Sequence, residues 1–342
     1  MQRIVIDRPG GYECLRLIES DNPRPGPGQV RIRVAAAGVN YADGIIRMGL
    51  YESAKRLHGY PITPGFEVAG EIDALGQGVD TFRIGDRVLA LTLFGGYTSH
   101  IVLDVDRVFA CPARLSLTQA AALPTVFLTA WWMVHEQQRV RSGDRWLVHS
   151  AAGGVGGALV QLGKLAGATV IGVVGQAHKL ATAQALGCDI VIDKSASDWV
   201  EAARAAAPEG FQSIYDANGV STLASSYRLL APTGRLCIYG FASMLPRNGR
   251  LNWLALARDW LATPRFNPMN LTRDNKSVLA CNLSFLSNEK ARLLEGMRWL
   301  LERFEDGRLV PPTVTEFPLA RAADAQRAIE SGSTVGKLVL VP

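Results

Sequence analysis

The sequence predicts an α/β fold in which a doubly wound parallel sheet is inserted into a discontinuous β-rich domain. The chain has 342 residues, and at roughly 100–200 residues per domain this length indicates two domains. Short alternating runs separated by Gly-Pro and Gly-Asp turns fill residues 1–124, whereas aliphatic strands alternate with helix-period segments after Pro124. The first pattern is typical of antiparallel β structure, and the second of a parallel sheet with right-handed crossovers.

In the first region, alternation of apolar and polar residues predicts strands over Gln29–Ala35, Val68–Ala74 and Arg87–Leu91. Near the end of the chain, a helix-like stretch at Asn288–Glu305 precedes a closing strand at Gly336–Val341. A terminal strand needs partners for its backbone groups, so we expect the tail to return to the N-terminal domain. The predicted division is 1–124 for the first part of that domain, 125–262 for the inserted domain and 263–342 for the return.

The inserted region supplies the elements of a parallel sheet. Its predicted helices are Ala130–Gln138, Ala158–Ala166, Lys179–Leu186 and Thr222–Leu230. Its predicted strands are Trp146–His149, Thr169–Val174, Ile190–Ile192, Ser213–Asp216 and Arg235–Tyr239. We expect Arg235–Tyr239 to be the last strand of the sheet. Because an exposed edge invites two-fold pairing, we also expect a homodimer formed through that edge.

Composition excludes several classes of protein. Hydrophobic residues make up 48% and charged residues 20% of the chain, which fits neither a disordered chain nor a disulfide-stapled miniature. The net charge of +5 is small and scattered, and does not indicate a nucleic-acid binder. Five widely spaced cysteines favour a reducing, cytoplasmic location. The most apolar stretch, residues 151–175, is rich in glycine and carries Lys164, so we expect no membrane insertion.

A glycine-rich turn follows the predicted strand that ends at His149. The G-x-G-x-x-G spacing falls on Ala151, Gly153 and Gly156, with alanine in place of the first glycine and with Gly154 and Val155 between the last two. Such a turn, placed between a strand and a helix, lets a diphosphate approach backbone N–H groups at the helix N-terminus. The sequence therefore predicts a dinucleotide site, the alternative being a tight packing turn without a ligand.

The end of the next strand indicates which dinucleotide binds. Sites that prefer NAD usually place an acidic side chain there, about twenty residues on, to bind the ribose hydroxyls. This chain has Gly175 at that point, followed by Lys179, and Lys194 follows the next strand. Because lysine attracts a 2′-phosphate, the sequence favours NADPH over NADH. The alternative for both lysines is a solvated surface position.

Several motifs are spread over nearly the whole chain. They are Ala37–Asp43, Gly49–Tyr51, Pro64–Gly70, Gly85–Val88, Ala120–Pro124, Ala151–Gly156 and Val335–Leu338. In type and order they resemble the medium-chain dehydrogenase/reductase superfamily, in particular its zinc-free quinone oxidoreductase branch. Residues 239–258 also look like the vesicle amine transport protein homologues within that branch. The resemblance implies a Rossmann domain inserted in a discontinuous GroES-like domain, with NADPH as cofactor.

Residue types argue against zinc. A catalytic zinc ion requires three ligands from Cys, His, Asp or Glu. The zinc alcohol dehydrogenases carry a cysteine where this chain has Asn40 or Tyr41, and a histidine where it has Phe66. His58 and His100 are isolated in the sequence, so we predict no metal.

Without a Lewis acid, an activated acceptor is the favoured substrate. In a quinone or an α,β-unsaturated carbonyl, hydride attack spreads charge over a conjugated system that hydrogen-bond donors can stabilise. The resemblance places the Asn40–Asp43 loop and Tyr51 beside the nicotinamide. Asn40 would orient the acceptor carbonyl, Tyr51 would donate a hydrogen bond or proton, and Asp43 would brace the loop. Helix capping is the alternative for Asn40 and Asp43, and pocket lining for Tyr51.

The resemblance also implies cofactor contacts elsewhere in the chain. Thr129 resembles a threonine near the nicotinamide ribose. Gly240 and Phe241 follow a strand carboxyl end, where ligands gather in doubly wound sheets. Asn282 and Lys337 resemble further positions around the cofactor.

One segment leaves alternatives to this function open. Between Arg228 and Lys276 there are eight basic residues and two acids, interleaved with Trp253, Trp260 and Phe266. Such a segment can lie on a membrane surface or can form a solvated rim around a packed aromatic face. The rival to a reductase is therefore an NADPH-binding interaction protein with little turnover. An enoyl-thioester reductase would share the chemistry and differ only in its acceptor.

Overall fold

The structure, a computed structural model, describes residues 1–244 and 252–342. Two compact units divide these residues: unit 1 comprises 1–128 and 284–342, and unit 2 comprises 129–244 and 252–283. Arg247 and Arg250, which belong to the basic segment of the sequence analysis, lie outside the described residues.

Most strands are short in both units, as the alternating and aliphatic runs predict, although β3 has 11 residues. In chain order they are β1 (Gln2–Val5), β2 (Arg16–Glu19), β3 (Gln29–Val39), β4 (Glu67–Leu75), β5 (Arg87–Leu91), β6 (His100–Asp104), β7 (Val108–Ala110), β8 (Arg145–His149), β9 (Thr169–Val174), β10 (Ile190–Asp193), β11 (Phe211–Asp216), β12 (Leu230–Ile238), β13 (Ser277–Ala280), β14 (Val314–Pro318) and β15 (Lys337–Val341).

Most helices belong to the second half of the chain. They are α1 (Tyr41–Arg47), α2 (Glu52–Leu57), α3 (Leu117–Ala120), α4 (Pro124–Trp131), α5 (Gly154–Leu165), α6 (Leu180–Ala185), α7 (Trp199–Ala206), α8 (Leu223–Leu229), α9 (Trp253–Ala262), α10 (Pro268–Asp274), α11 (Lys290–Glu305) and α12 (Ala322–Glu330). The helix predicted at 130–138 starts earlier, because Pro124 is suited to a first helical turn, and it continues as a π-helical segment over Trp132–Gln137. None of the described helices is long and apolar enough to cross a bilayer.

Unit 1 is built around a mainly antiparallel sheet of order β14-β15-β3-β4-β5-β7, with β6 pairing to β3. Its core is formed by alternate residues of these strands, including Val30 and Ile32 of β3 and Val68 of β4. The closing strand β15 pairs antiparallel with β3, Val339 lying opposite Gly38. The return of the C-terminal tail to the N-terminal sheet is thereby confirmed.

Unit 2 contains a parallel sheet of order β10-β9-β8-β11-β12-β13. This is the predicted doubly wound arrangement. From the central strand β8, the strands β9 and β10 follow in order on one side of the sheet, and β11, β12 and β13 follow in order on the other side. The prediction that Arg235–Tyr239 forms the edge is wrong, because β13 pairs with β12 and places Val278 opposite Leu236. β13 lies in residues 263–283, a segment that the structure groups with unit 2.

Candidate functional site

The glycine-rich turn of unit 2 joins β8 to α5. Gly153 is the N-cap of the 12-residue helix α5, and its N–H donates to the Ser150 carbonyl at 2.8 Å. Ser150 has a left-handed backbone, with φ of 56°. A Cβ atom at Gly156 would lie 2.1 Å from the Ser150 oxygen, so glycine is required for the turn to pack against the helix. The first N–H groups of α5, those of Gly154 and Val155 among them, have no acceptor within the helix and suit an anion.

Alanine at the first glycine position has a packing reason. Ala151 is fully buried. Its Cβ would lie 2.8 Å from a Cβ built on Gly172 of the neighbouring strand β9. The methyl group therefore fills the space that a glycine at position 172 leaves, and the turn keeps its strand-to-helix geometry.

Two lysines meet at the carboxyl ends of β9 and β10. A Cβ atom added at Gly175 would contact the Lys194 side chain, at 3.6 Å from Cε. Burial of the half-buried Lys179, together with the positive charge of Lys194, lowers the pKa of the Lys179 ammonium. Two cations that raise each other's electrostatic energy form a site that an anion stabilises. All three residues are predicted from the sequence as cofactor contacts, and they lie close together in the structure.

A buried hydrogen-bond network in unit 2 escaped the sequence analysis. His149 Nε2 lies 3.0 Å from Ser226 Oγ, which donates to Asp216 Oδ2 at 2.8 Å. The other Asp216 oxygen accepts from the N–H groups of Asn218 and Gly219. Burial lowers the pKa of His149. The network fixes the carboxyl ends of β8 and β11 relative to each other, next to the glycine turn. Its residues are distant in the sequence, and only the fold brings them together.

The remaining predicted positions of unit 2 occupy element ends. Phe241 follows β12 and is 45% exposed, and a Cβ on Gly240 would lie 2.8 Å from the Ala217 carbonyl oxygen. Asn282 is exposed just after β13, and Thr129 is half-buried in α4. Gly240 and Phe241 are therefore at a strand carboxyl end, as expected.

The polar centre of unit 1 is a buried ion pair that holds Asn40. Lys337 Nζ lies 2.7 Å from Glu67 Oε1, and both side chains are at most 3% exposed. Lys337 also donates to Asn40 Oδ1 at 2.6 Å and to the Val39 carbonyl at 2.9 Å. Asn40 Nδ2 donates to Glu67 Oε1 at 2.9 Å, while Thr125 N–H donates to the other Glu67 oxygen at 2.7 Å. The pair therefore orients the Asn40 amide at both of its ends.

Lys337 has no donor left over in this arrangement. Its three contacts to Glu67, Asn40 and Val39 match the three N–H donors of an ammonium group. In this structure it acts on Asn40, and Glu67 is the partner that the sequence analysis missed.

Asp43 braces the loop between β3 and α1. Its carboxylate accepts from the Asn40 backbone N–H at 2.7 Å, completing a capping box at the start of α1. It also accepts from the Tyr97 hydroxyl at 2.9 Å and from the Gly65 N–H at 3.1 Å. Complete burial raises the pKa of Asp43 to about 7, against the lowering effect of these donors. Because its carboxylate oxygens accept hydrogen bonds from three groups of the protein, Asp43 is suited to bracing the loop.

Tyr51 lies at the start of α2 beside a hydroxyl partner. Its phenol oxygen is 2.8 Å from Ser284 Oγ, and either group can be the donor. Its ring packs edge-on against Phe66, with 5.8 Å between the centroids. A half-buried phenol with an adjacent hydroxyl can donate a hydrogen bond and recover a proton. Ser284 was not identified from the sequence, because it lies 233 residues away.

Comparison with known proteins assigns the family. An alcohol dehydrogenase GroES-like domain model matches residues 26–113, and a zinc-binding dehydrogenase model matches residues 154–298. The synaptic vesicle membrane protein VAT-1 homolog of Rattus norvegicus is 34% identical, over 99% of this chain and 83% of the relative. The chain belongs to the medium-chain dehydrogenase/reductase oxidoreductases, which confirms the resemblance seen in its motifs.

Two further relatives match nearly end to end. The 2-haloacrylate reductase of a Burkholderia species is 31% identical, over 99% of this chain and 98% of the relative. A quinone oxidoreductase of Escherichia coli, solved as a complex with NADPH, superposes with a TM-score of 0.86 at 28% identity, and each chain is covered completely. The fold class is thereby confirmed.

The residues present do not fit the zinc ion that one family model's name implies. Among residues 1–244 and 252–342, no group of three or more His, Cys, Asp or Glu side chains could hold a metal ion. Asn40 is bonded to Glu67 and Lys337, and Phe66 packs between Tyr51 and Phe94. We therefore assign no zinc-dependent step to this site.

Proposed function

We propose that the protein is an NADPH-dependent reductase that transfers hydride to a quinone or an α,β-unsaturated carbonyl. The observation that carries the proposal is the proximity of two cationic side chains, Lys179 and Lys194, to Gly175. Gly175 occupies the position at which an NAD site usually has an acidic residue. The Escherichia coli relative that was solved with NADPH and the relative named 2-haloacrylate reductase support it.

Unit 2 would hold the cofactor through groups of two kinds. The N-terminal amides of α5, beside Gly153 and Gly156, would receive the diphosphate. Lys179 and Lys194 would receive the 2′-phosphate by charge-assisted hydrogen bonds. When bound, the nicotinamide supplies the hydride.

Unit 1 would supply the polar groups for the acceptor. An amide has two N–H donors; one on Asn40 is directed to Glu67, and the second would bind the acceptor carbonyl. Hydride addition leaves negative charge on a conjugated enolate or phenolate oxygen, and Tyr51 would donate a proton to it. Ser284, 2.8 Å from the phenol oxygen, would relay a proton from solvent water to the Tyr51 phenolate, so that both hydroxyl groups are restored after each turnover.

Stopped-flow mixing of the NADPH-loaded protein with a panel of quinones and enones tests this function. We expect oxidation of bound NADPH by at least one of them. Tyr51→Phe should slow the step roughly 100-fold, which is the lower end of the range for a lost proton donor. NADPH affinity should be unchanged in that variant, which provides the internal control. Absence of NADPH oxidation by the whole panel would favour the non-enzymatic interaction protein.

The open edge of the parallel sheet supports a homodimer. β13 is the last strand on its side among the described residues, and unpaired strand edges invite pairing. We propose that two copies join through β13, in place of the strand named in the sequence analysis. Sedimentation should give twice the monomer mass of 36.9 kDa; a monomer at micromolar concentration would contradict the dimer.

A further inference from the structure

Unit 1 contains a cavity that is separate from the residues assigned above. Its volume is about 370 Å³, near the lower end of the range for small-molecule sites, roughly 300–1,000 Å³. The wall includes Arg3 and Val5 of β1, Leu57 at the end of α2, Phe94 and Arg107. Asn40, Asp43 and Tyr51 are not among the lining residues.

Two guanidinium groups without acidic partners line this cavity. Among the described residues, neither Arg3 nor Arg107 lies within salt-bridge distance of a carboxylate. The carboxylate next in sequence, that of Asp106, is paired with Lys290. The Nε atom of Arg3 is also buried without a hydrogen-bond acceptor in the described part of the chain. Two cationic side chains that contribute to the wall of one cavity favour an anionic ligand there.

The rest of the wall combines apolar and aromatic side chains with polar residues, namely His58 and two threonines. Leu57 is 50% exposed, although it is a large hydrophobic side chain. Phe94 packs edge-on against His58, with 5.8 Å between the ring centroids. Leu93, which also lines the cavity, has a left-handed φ of 63°. Backbone strain in a non-glycine residue is concentrated at ligand sites more often than elsewhere.

We propose that this cavity binds a small aryl carboxylate. A planar carboxylate matches the fork of a guanidinium group, and two such groups are available in Arg3 and Arg107. The leucine and phenylalanine side chains would pack against the aromatic ring of the ligand. The volume suits one or two fused rings and is too small for a dinucleotide. The site is independent of NADPH and of the proposed reductase activity.

Calorimetric titration of the full chain with 2-naphthoate, in the absence of NADPH, tests the proposal. We expect saturable binding of one molecule per chain. Arg3→Gln and Arg107→Gln should each weaken it at least tenfold, because each removes one charge-assisted pair. Arg24→Gln is the matched control: it removes an exposed arginine of the same unit that does not line the cavity, and it should leave binding unchanged.

Two further ligands separate recognition of the ring from recognition of charge. The neutral 2-naphthamide should bind at least tenfold more weakly than 2-naphthoate, and inorganic phosphate should not compete at equal concentration. Absence of naphthoate binding would overturn the proposal, as would equal loss of affinity in the Arg24→Gln control. Equal binding of phosphate would also overturn it, since it would show an anion site without an apolar pocket. NADPH binding should be unaffected by Arg3→Gln, so failure here is distinguishable from failure of the reductase proposal.

Discussion

The polar centre of unit 1 is a pair of opposite charges, whereas that of unit 2 is a pair of like charges. In unit 1, Glu67 and Lys337 are almost completely buried, and each is bonded to the other and to Asn40. In unit 2, Lys179 is half-buried and Lys194 exposed, and each disfavours the charge of the other. A buried, satisfied pair fixes a geometry, whereas a pair of like charges near solvent raises affinity for an anion.

This contrast implies different sensitivities. Exposed charges are screened by salt, and buried pairs are screened much less. Removing one member of the buried pair should therefore damage the fold, while removing one lysine of the partly exposed pair should lower only ligand affinity. Lys337→Met and Lys179→Ala test this difference, and Gly156→Ala, which alters the glycine turn without removing a charge, is expected to fall between them.

Lys337→Met should have the largest effect. It leaves the Glu67 carboxylate buried without its cation, and breaking a buried pair from one side costs about 3–5 kcal/mol. Urea unfolding followed by circular dichroism measures the loss. The double variant Glu67→Gln/Lys337→Met removes both charges and should recover part of it. If the double variant is as unstable as the sum of the single variants, the pair is not coupled.

Gly156→Ala should have an intermediate effect on unit 2. The added methyl group would lie 2.1 Å from the Ser150 carbonyl oxygen, so the backbone of the turn must move. Overpacking of this kind costs roughly 1–3 kcal/mol, and NADPH affinity should fall with it. Gly157→Ala is the control, because there the methyl group would lie 3.0 Å from the end of the Leu186 side chain and in ordinary contact, at 3.7 Å, with the Ala151 carbonyl oxygen. Similar losses in both variants would show that the turn does not require close approach.

Lys179→Ala should have the smallest effect, and only on binding. We expect NADPH affinity to fall by about 1–2 kcal/mol through loss of a charge-assisted contact, while NADH affinity and stability stay unchanged. The loss should shrink as the salt concentration rises. Lys194→Ala should act in the same direction and more weakly, since Lys194 is exposed. Fluorescence titration with both cofactors measures the change; equal losses for NADPH and NADH would refute phosphate recognition.

The part of the site in unit 2 could be predicted from the sequence because it is local. Ala151 to Gly156 form one turn between one strand and one helix, and Gly175 and Lys179 lie between the next strand, β9, and the next helix, α6. Local patterns of strand, glycine and helix specify these positions without knowledge of the tertiary fold. Position 194 is close because parallel neighbours end at the same edge of a sheet.

The part in unit 1 could not be predicted in the same way. Lys337 and Asn40 are bonded across 297 residues, and only the antiparallel pairing of β15 with β3 brings them together. Lys337 is predicted as a cofactor contact because it resembles a family position around the cofactor. The fold shows an anionic side chain, Glu67, in contact with it. β13 was missed for a related reason: a four-residue strand among polar residues gives little periodic signal.

The pairing of β15 with β3 also sets an order of events during protein synthesis. β3 and Glu67 leave the ribosome well before Lys337. At 5–20 residues per second, the 297 residues between Asn40 and Lys337 take roughly 15–60 s to make. Until the C-terminal strands are made, the N-terminal sheet lacks β14 and β15, and the carboxylate of Glu67 lacks its counter-ion. The residues of unit 2 are translated within this window. Until β15 is made, the Glu67 carboxylate must therefore be hydrated by water, and the unpaired part of β3 must be covered by water or by a chaperone.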